Sequence, residues 1–252
     1  LLSIFVVAIG LYIRSRVPES KSFQAVKEEA VEHKSPLSEL VSSKRREVLG
    51  GMFAKFVEAA VFPFYTVFLV AYANTNGYNS QLVLDAVIIA IICEIVAIPL
   101  LGRLTDTVGR KPVYLTAAVM NLLLVVPAFY AVQSENLLSS VLLLAFGLAL
   151  GPAGTYAPQA SSFPELFPAR SRYSGVSVVW QFGAMLASGP FTVVATALLI
   201  GGGGSFVWSA LYVAVLIVIS IVALQFLPET APARRQGTEY AQWGSGSPLA
   251  SA

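Results

Sequence analysis

The chain has 252 residues, of which 56% are hydrophobic and only 12% charged, against roughly 25% charged residues in a water-soluble domain. Its net charge of +2 offers no basic surface for nucleic acid. The lone Cys93 and the lone His33 exclude a disulfide framework, cysteine-ligated zinc and multi-histidine metal centres. The composition points to an integral membrane protein in contact with the lipid bilayer, with no metal and no cofactor expected.

A bilayer core about 30 Å thick needs about 20 apolar residues per helical span. The first apolar run, 1–13, is too short to cross alone and begins at Leu1 rather than at Met. It is expected to be the end of a truncated transmembrane helix. A signal peptide would need a basic stretch before the run and small residues after it, whereas Arg14 and Arg16 follow it here. Residues 14–48 are polar, with bases and acids mixed and with Pro18 and Pro36, as expected of a solvated central loop on the cytoplasmic side. Within it, Phe23, Val26 and Ala30 have the spacing of a short amphipathic helix.

Six complete apolar runs follow, at 49–73, 82–101, 112–132, 137–157, 175–198 and 205–227, forming one six-helix transmembrane half over 49–227. Residues 201–204 are four glycines without the lysine a phosphate-cradling loop requires, so they are expected to make a short external turn. The Gly/Ser/Pro-rich tail, 228–252, is expected to be disordered. Apart from Lys55, every Lys and Arg falls in the central loop, in the loop after Leu101, near Pro168 or in the tail. The three intervening loops hold none. The positive-inside rule then puts the basic loops and the C-terminus in the cytoplasm.

The most informative of these loops is 102–111, GRLTDTVGRK. Gly102 and Gly109 permit tight backbone geometry. Asp106 suits a helix N-terminus and is expected to pair with Arg103 or Arg110, with Lys111 adjacent. A charge clasp of this kind holds two helices together in one state and releases them in another.

This segment resembles the signature cytoplasmic loop of the major facilitator superfamily, in its second-half copy. The stretch from Glu165 to Gly175, ELFPARSRYSG, is similar to the metabolite:proton symporter branch, as are Arg14, Arg16 and the Pro18-Glu19-Ser20 element. Leu227-Pro228-Glu229-Thr230 resembles the superfamily's usual ending. Thr107 departs from the pattern at a position that is commonly basic.

The resemblance implies an all-α integral membrane fold: the second six-helix bundle of a twelve-helix transporter, an inverted 3+3 repeat, working with a missing N-terminal half by alternating access. It implies secondary transport of a small metabolite (an organic acid, amino acid or betaine), with protons as the coupling ion. The expected location is a bacterial plasma (inner) membrane. Arg170 and Arg172 resemble the half-repeat counterpart of the clasp. A truncated, non-transporting half is the alternative.

Charges within spans are costly, roughly 2.5–3.5 kcal/mol each on insertion scales, and mark functional sites. Lys55 and Glu58, at i and i+3, share a helix face that Phe62 and Tyr65 continue. Glu58 lies about 14 Å along its helix from Leu49 at 1.5 Å per residue. This face is expected to line the substrate path, with Lys55 meeting an anionic group and Glu58 carrying a proton or pairing with Lys55. A purely structural ion pair is the alternative. Glu94 is a second candidate on the path, paired with Lys55 or with a base of the other half.

The fourth run carries small residues and prolines at Gly147, Gly151, Pro152, Gly154 and Pro158, which allow close packing and bending. Tyr156 and Gln159 on it are candidate polar contacts. Gln181, unfavourable in lipid, is expected to face inward. Enzyme function is not expected, because His33 lies outside every span and no HExxH motif occurs.

Overall fold

The computed structural model describes residues 44–168 and 171–230, together with Phe5, Val7, Ile9, Gly10 and Tyr12. Most of the run 1–13, the central loop up to residue 43, Arg170 and the tail from 231 lie outside the described residues.

Among the described residues the fold is all-helical, with six helices long and apolar enough to cross a membrane. They are α1 (Arg45–Thr75), α2 (Ser80–Val108), α3 (Arg110–Gln133), α4 (Leu137–Glu165), α5 (Arg172–Gly201) and α6 (Val207–Gln225). Asparagine caps open two of them. The Asn79 side chain accepts a hydrogen bond from the Leu82 amide (3.2 Å), and that of Asn136 accepts from Leu138 and Ser139 (2.9 and 3.3 Å), satisfying amides that have no partner inside the helix.

The helices run beyond the apolar stretches of the sequence. The segment 102–108, expected as a loop, is the last two turns of α2. One glycine costs a helix only about 1 kcal/mol relative to alanine, so Gly102 does not end it. The turn is confined to Gly109, whose φ of 114° is open to glycine and strained for other residues.

Two helices are interrupted. In α1, an α-helical segment ending at Pro63 passes into a π-helical turn over Phe64–Phe68 before α-helix resumes at Leu69. In α4, Gly151 separates Leu137–Leu150 from Pro152–Glu165. Pro152 has no N–H, which leaves the Leu148 carbonyl without its helical donor.

The six helices form two triplets that exchange partners. Helix α2 packs chiefly along α4 and α5 chiefly along α1, while α3 and α6 lie against α4 and α1 respectively and against each other. An odd number of crossings separates the triplets, so equivalent helices run in opposite directions. This is the packing of an inverted 3+3 repeat. Two of the three equivalent pairs are also covered alike: 28% of the most apolar stretch is buried in both α2 and α5 and 44% in both α3 and α6, whereas α1 at 61% is more covered than α4 at 44%.

Candidate functional site

Lys55 is the centre of the intramembrane site and is buried, 3% exposed. Its ammonium group is ion-paired with Glu58. It donates to Gln159 Oε1 at 3.2 Å and lies 3.6 Å from the centroid of the Trp180 ring, with the Tyr156 ring 5.9 Å away. Gln159 in turn donates through Nε2 to Tyr114 Oη at 2.6 Å. One cation is therefore held by a carboxylate, an amide and an indole face from α1, α4 and α5. Such a cation–π contact is worth about 2 kcal/mol or more once desolvated.

The backbone of α1 is opened where Lys55 sits. The Ser220 hydroxyl of α6 accepts from the Val57 amide and donates to the Phe53 carbonyl, both at 2.8 Å. It is thereby inserted between two groups that would otherwise bond i to i−4. A side chain in the ladder is a recognised cause of local helix distortion. The Tyr114 hydroxyl takes the neighbouring Ala54 carbonyl at 2.7 Å. Across the helix, a β-carbon on Gly183 would stand 2.8 Å from Lys55 Cβ and 2.9 Å from the Met52 carbonyl, so the glycine lets α5 approach α1 closely.

On the open side, Lys55, Glu58, Phe62, Trp180 and Gln181 line a groove of about 270 Å³ between α1 and α5. Glu58 keeps 17% of its side chain exposed there, and Gln181 is exposed. Tyr65 does not join this face. It is fully buried, its hydroxyl has no partner among the described residues, and its ring lies against Gly147 of α4. Glu94 is 7% exposed and makes no ion pair with Lys55.

The sequence assigned no role to Tyr114, Trp180 or Ser220. Hydroxyl groups in otherwise apolar spans were the available signal, since a buried hydroxyl in lipid needs a partner.

A second polar cluster closes the end of the bundle where α2 meets α3. Arg110, 6% exposed, forms an ion pair with Glu165 at the end of α4 and donates to the Thr230 hydroxyl (3.1 Å) and carbonyl (3.3 Å). The Glu229 carboxylate accepts from the amides of Arg110 (3.1 Å) and Lys111 (3.0 Å), capping the N-terminus of α3, where negative charge is favoured. Lys111 Nζ donates to the Gln225 and Leu227 carbonyls, each at 3.2 Å.

Two expectations are corrected here. Asp106 stands in the last turn of α2 rather than at a helix N-terminus; its pair with Arg110 is present at 4.0 Å with the carboxylate 66% exposed, and Glu165 is the closer partner of Arg110. Pro228–Thr230, expected at the start of a disordered tail, is docked onto α3 through Glu229 and Thr230. Arg103 is exposed, Gly102 has open space around it, and Arg172 donates to the Phe167 carbonyl at 3.4 Å.

Comparison with known proteins adds an independent line. A family model described as Major Facilitator Superfamily matches residues 49–250. The chain is 29% identical over 235 residues to an ectoine/proline transporter of Corynebacterium glutamicum, covering 88% of this chain and 46% of that protein. It is 28% identical over 236 residues to an inner membrane metabolite transport protein of Escherichia coli, with 90% and 52% covered. To a proline/betaine transporter of Escherichia coli it is 24% identical over 233 residues, with 88% and 46% covered. The chain spans about half the length of the curated relatives it matches. No solved structure matches it.

Proposed function

The chain belongs to the major facilitator superfamily, and from that membership we propose that it forms one wall of the path by which a bacterial secondary transporter carries a small metabolite across the inner membrane. A second six-helix half supplies the opposite wall. The basic loops and the C-terminus face the cytoplasm, and the reaction is movement of solute with no chemical step. The observation that carries this reading is a buried Lys55 paired with Glu58 on a face that opens into a groove.

The geometry suggests how protons and solute are coupled. Glu58 neutralises Lys55 in the structure described. Protonation of Glu58 removes the ion pair and frees the ammonium for a substrate carboxylate, while Gln159 and Trp180 hold it in place. The names of the relatives (ectoine/proline, proline/betaine) fit a solute with a carboxylate. Alternation follows if the Arg110–Glu165–Glu229 cluster ties the cytoplasmic ends of α3, α4 and α6 in one state and opens in the other.

The test is uptake of radiolabelled proline and betaine with an imposed proton gradient. Glu58→Gln is expected to abolish gradient-driven accumulation while retaining exchange of solute across the membrane. Accumulation by that variant at the unmodified rate would remove the proton-carrying role.

A further inference from the structure

A second groove, of about 580 Å³, lies between α1 and α6 near their cytoplasmic ends. Its floor is made by the small buried residues Gly50 and Ala223, and its walls include Leu49, Phe53, Val222 and Phe226, which are 39–55% exposed. At 100° per residue, Arg46, Leu49, Gly50 and Phe53 fall on the side of α1 opposite Lys55, Glu58 and Phe62. This groove therefore faces away from the candidate path and outward from the bundle.

Arg46 stands at its mouth, with the guanidinium 5.9 Å from the centroid of the Phe226 ring. Arg46 makes no ion pair among the described residues. The adjacent acid, Glu47, is paired with Lys44 at 2.9 Å. A cation with no ion-pair partner among the described residues, above an apolar channel between two helices, has the chemistry to bind a molecule with a negative head and a hydrocarbon tail. Basic pockets between transmembrane helices on the cytoplasmic side bind anionic lipid headgroups in this way.

We propose that the α1/α6 groove is a site for an anionic phospholipid, with the phosphate on Arg46 and an acyl chain along Gly50 and Ala223. The occupant is a lipid and not a second helix bundle, because the cation would be left unpaired against an apolar protein surface, whereas a phosphate compensates it.

The test is native mass spectrometry of the purified full chain, released from micelles containing equal amounts of phosphatidylglycerol and phosphatidylcholine. Phosphatidylglycerol is expected to be retained preferentially. Arg46→Gln is expected to lower that retention about fivefold without changing phosphatidylcholine, and Arg46→Lys to preserve most of it. Val222→Trp, at an exposed wall position, fills the groove and is expected to lower retention of both lipids. Circular dichroism establishes that each variant keeps its helices.

Equal retention of the two lipids, retention of neither, or an Arg46→Gln chain that binds phosphatidylglycerol as before would each overturn the proposal. So would a dimer of the chain that Val222→Trp dissociates, since a second copy would then be the occupant.

Discussion

The two polar clusters of this half-bundle are built on opposite plans. At mid-membrane, one helix supplies both charges, Lys55 and Glu58, and neighbouring helices add neutral groups: Gln159, the Tyr156 ring and the Trp180 face. At the end of the bundle where α2 meets α3, the charges come from distant parts of the chain, with Arg110, Glu165 and Glu229 converging from α3, α4 and the segment after α6. The first cluster leaves its acid partly open to a groove. The second buries its arginine against carboxylates and carbonyls. A local pair exchanges a partner without moving helices, whereas a long-range cluster breaks only if helix ends separate. On the proposed function, ligand exchange belongs to the first and conformational locking to the second.

This contrast is easiest to break at Lys55. Lys55→Met leaves a carboxylate uncompensated within a span, and removing one member of a buried pair costs about 3–5 kcal/mol. Thermal unfolding in detergent should show that loss, and Lys55→Met with Glu58→Gln should recover most of it. If the double variant is no more stable than the single one, the pair is not a local unit.

Arg110→Ala should cost about 2–3 kcal/mol, the scale of hydrogen bonds to charged groups. It should also increase the reactivity of cysteines introduced at the start of α3 and the end of α4. Glu229→Ala removes the cap of α3 and should cost about 1–2 kcal/mol in the same unfolding measurement. A loss smaller than that of an exposed control would detach Glu229 from the cluster. Ser220→Ala allows the Val57 amide to bond the Phe53 carbonyl directly, so its stability change should be about 1 kcal/mol or less. Its effect should appear as an altered solute affinity, since Lys55 lies inside that turn. Asp106→Asn should be nearly silent in stability, below about 0.5 kcal/mol, because the side chain is exposed and at the limit of ion-pair distance from Arg110.

The helical fold and the Lys55–Glu58 pair were legible in the sequence for a common reason. Apolar runs of span length and an i, i+3 spacing are local properties, and a charge stands out against an apolar background. The partners of Lys55 were less visible. Gln159 and Trp180 are 104 and 125 positions away, and Ser220 and Tyr114 are ordinary residues until folding brings their hydroxyls onto the α1 backbone. Tyr65 was placed on the Lys55 face by α-helical spacing. The π-helical turn that begins at Phe64 ends that periodicity, and Tyr65 is buried against Gly147 instead. In the second cluster, Glu165 and Glu229 stood within recognisable motifs, but their convergence on Arg110 is a property of the α3, α4 and α6 packing. Spacing alone favoured Asp106, four residues away.

The claim that the Lys55–Glu58 face borders a water-filled path can be measured by thiol accessibility. With Cys93 replaced by Ser, single cysteines are placed at Gln181, on the groove, and at Leu123, 61% exposed on the surface of α3. A charged, membrane-impermeant thiol reagent should modify Gln181→Cys at least tenfold faster than Leu123→Cys in the intact membrane, and a transported solute should slow the reaction. Equal rates at the two positions, or a Gln181→Cys rate that solute leaves unchanged, would contradict the account.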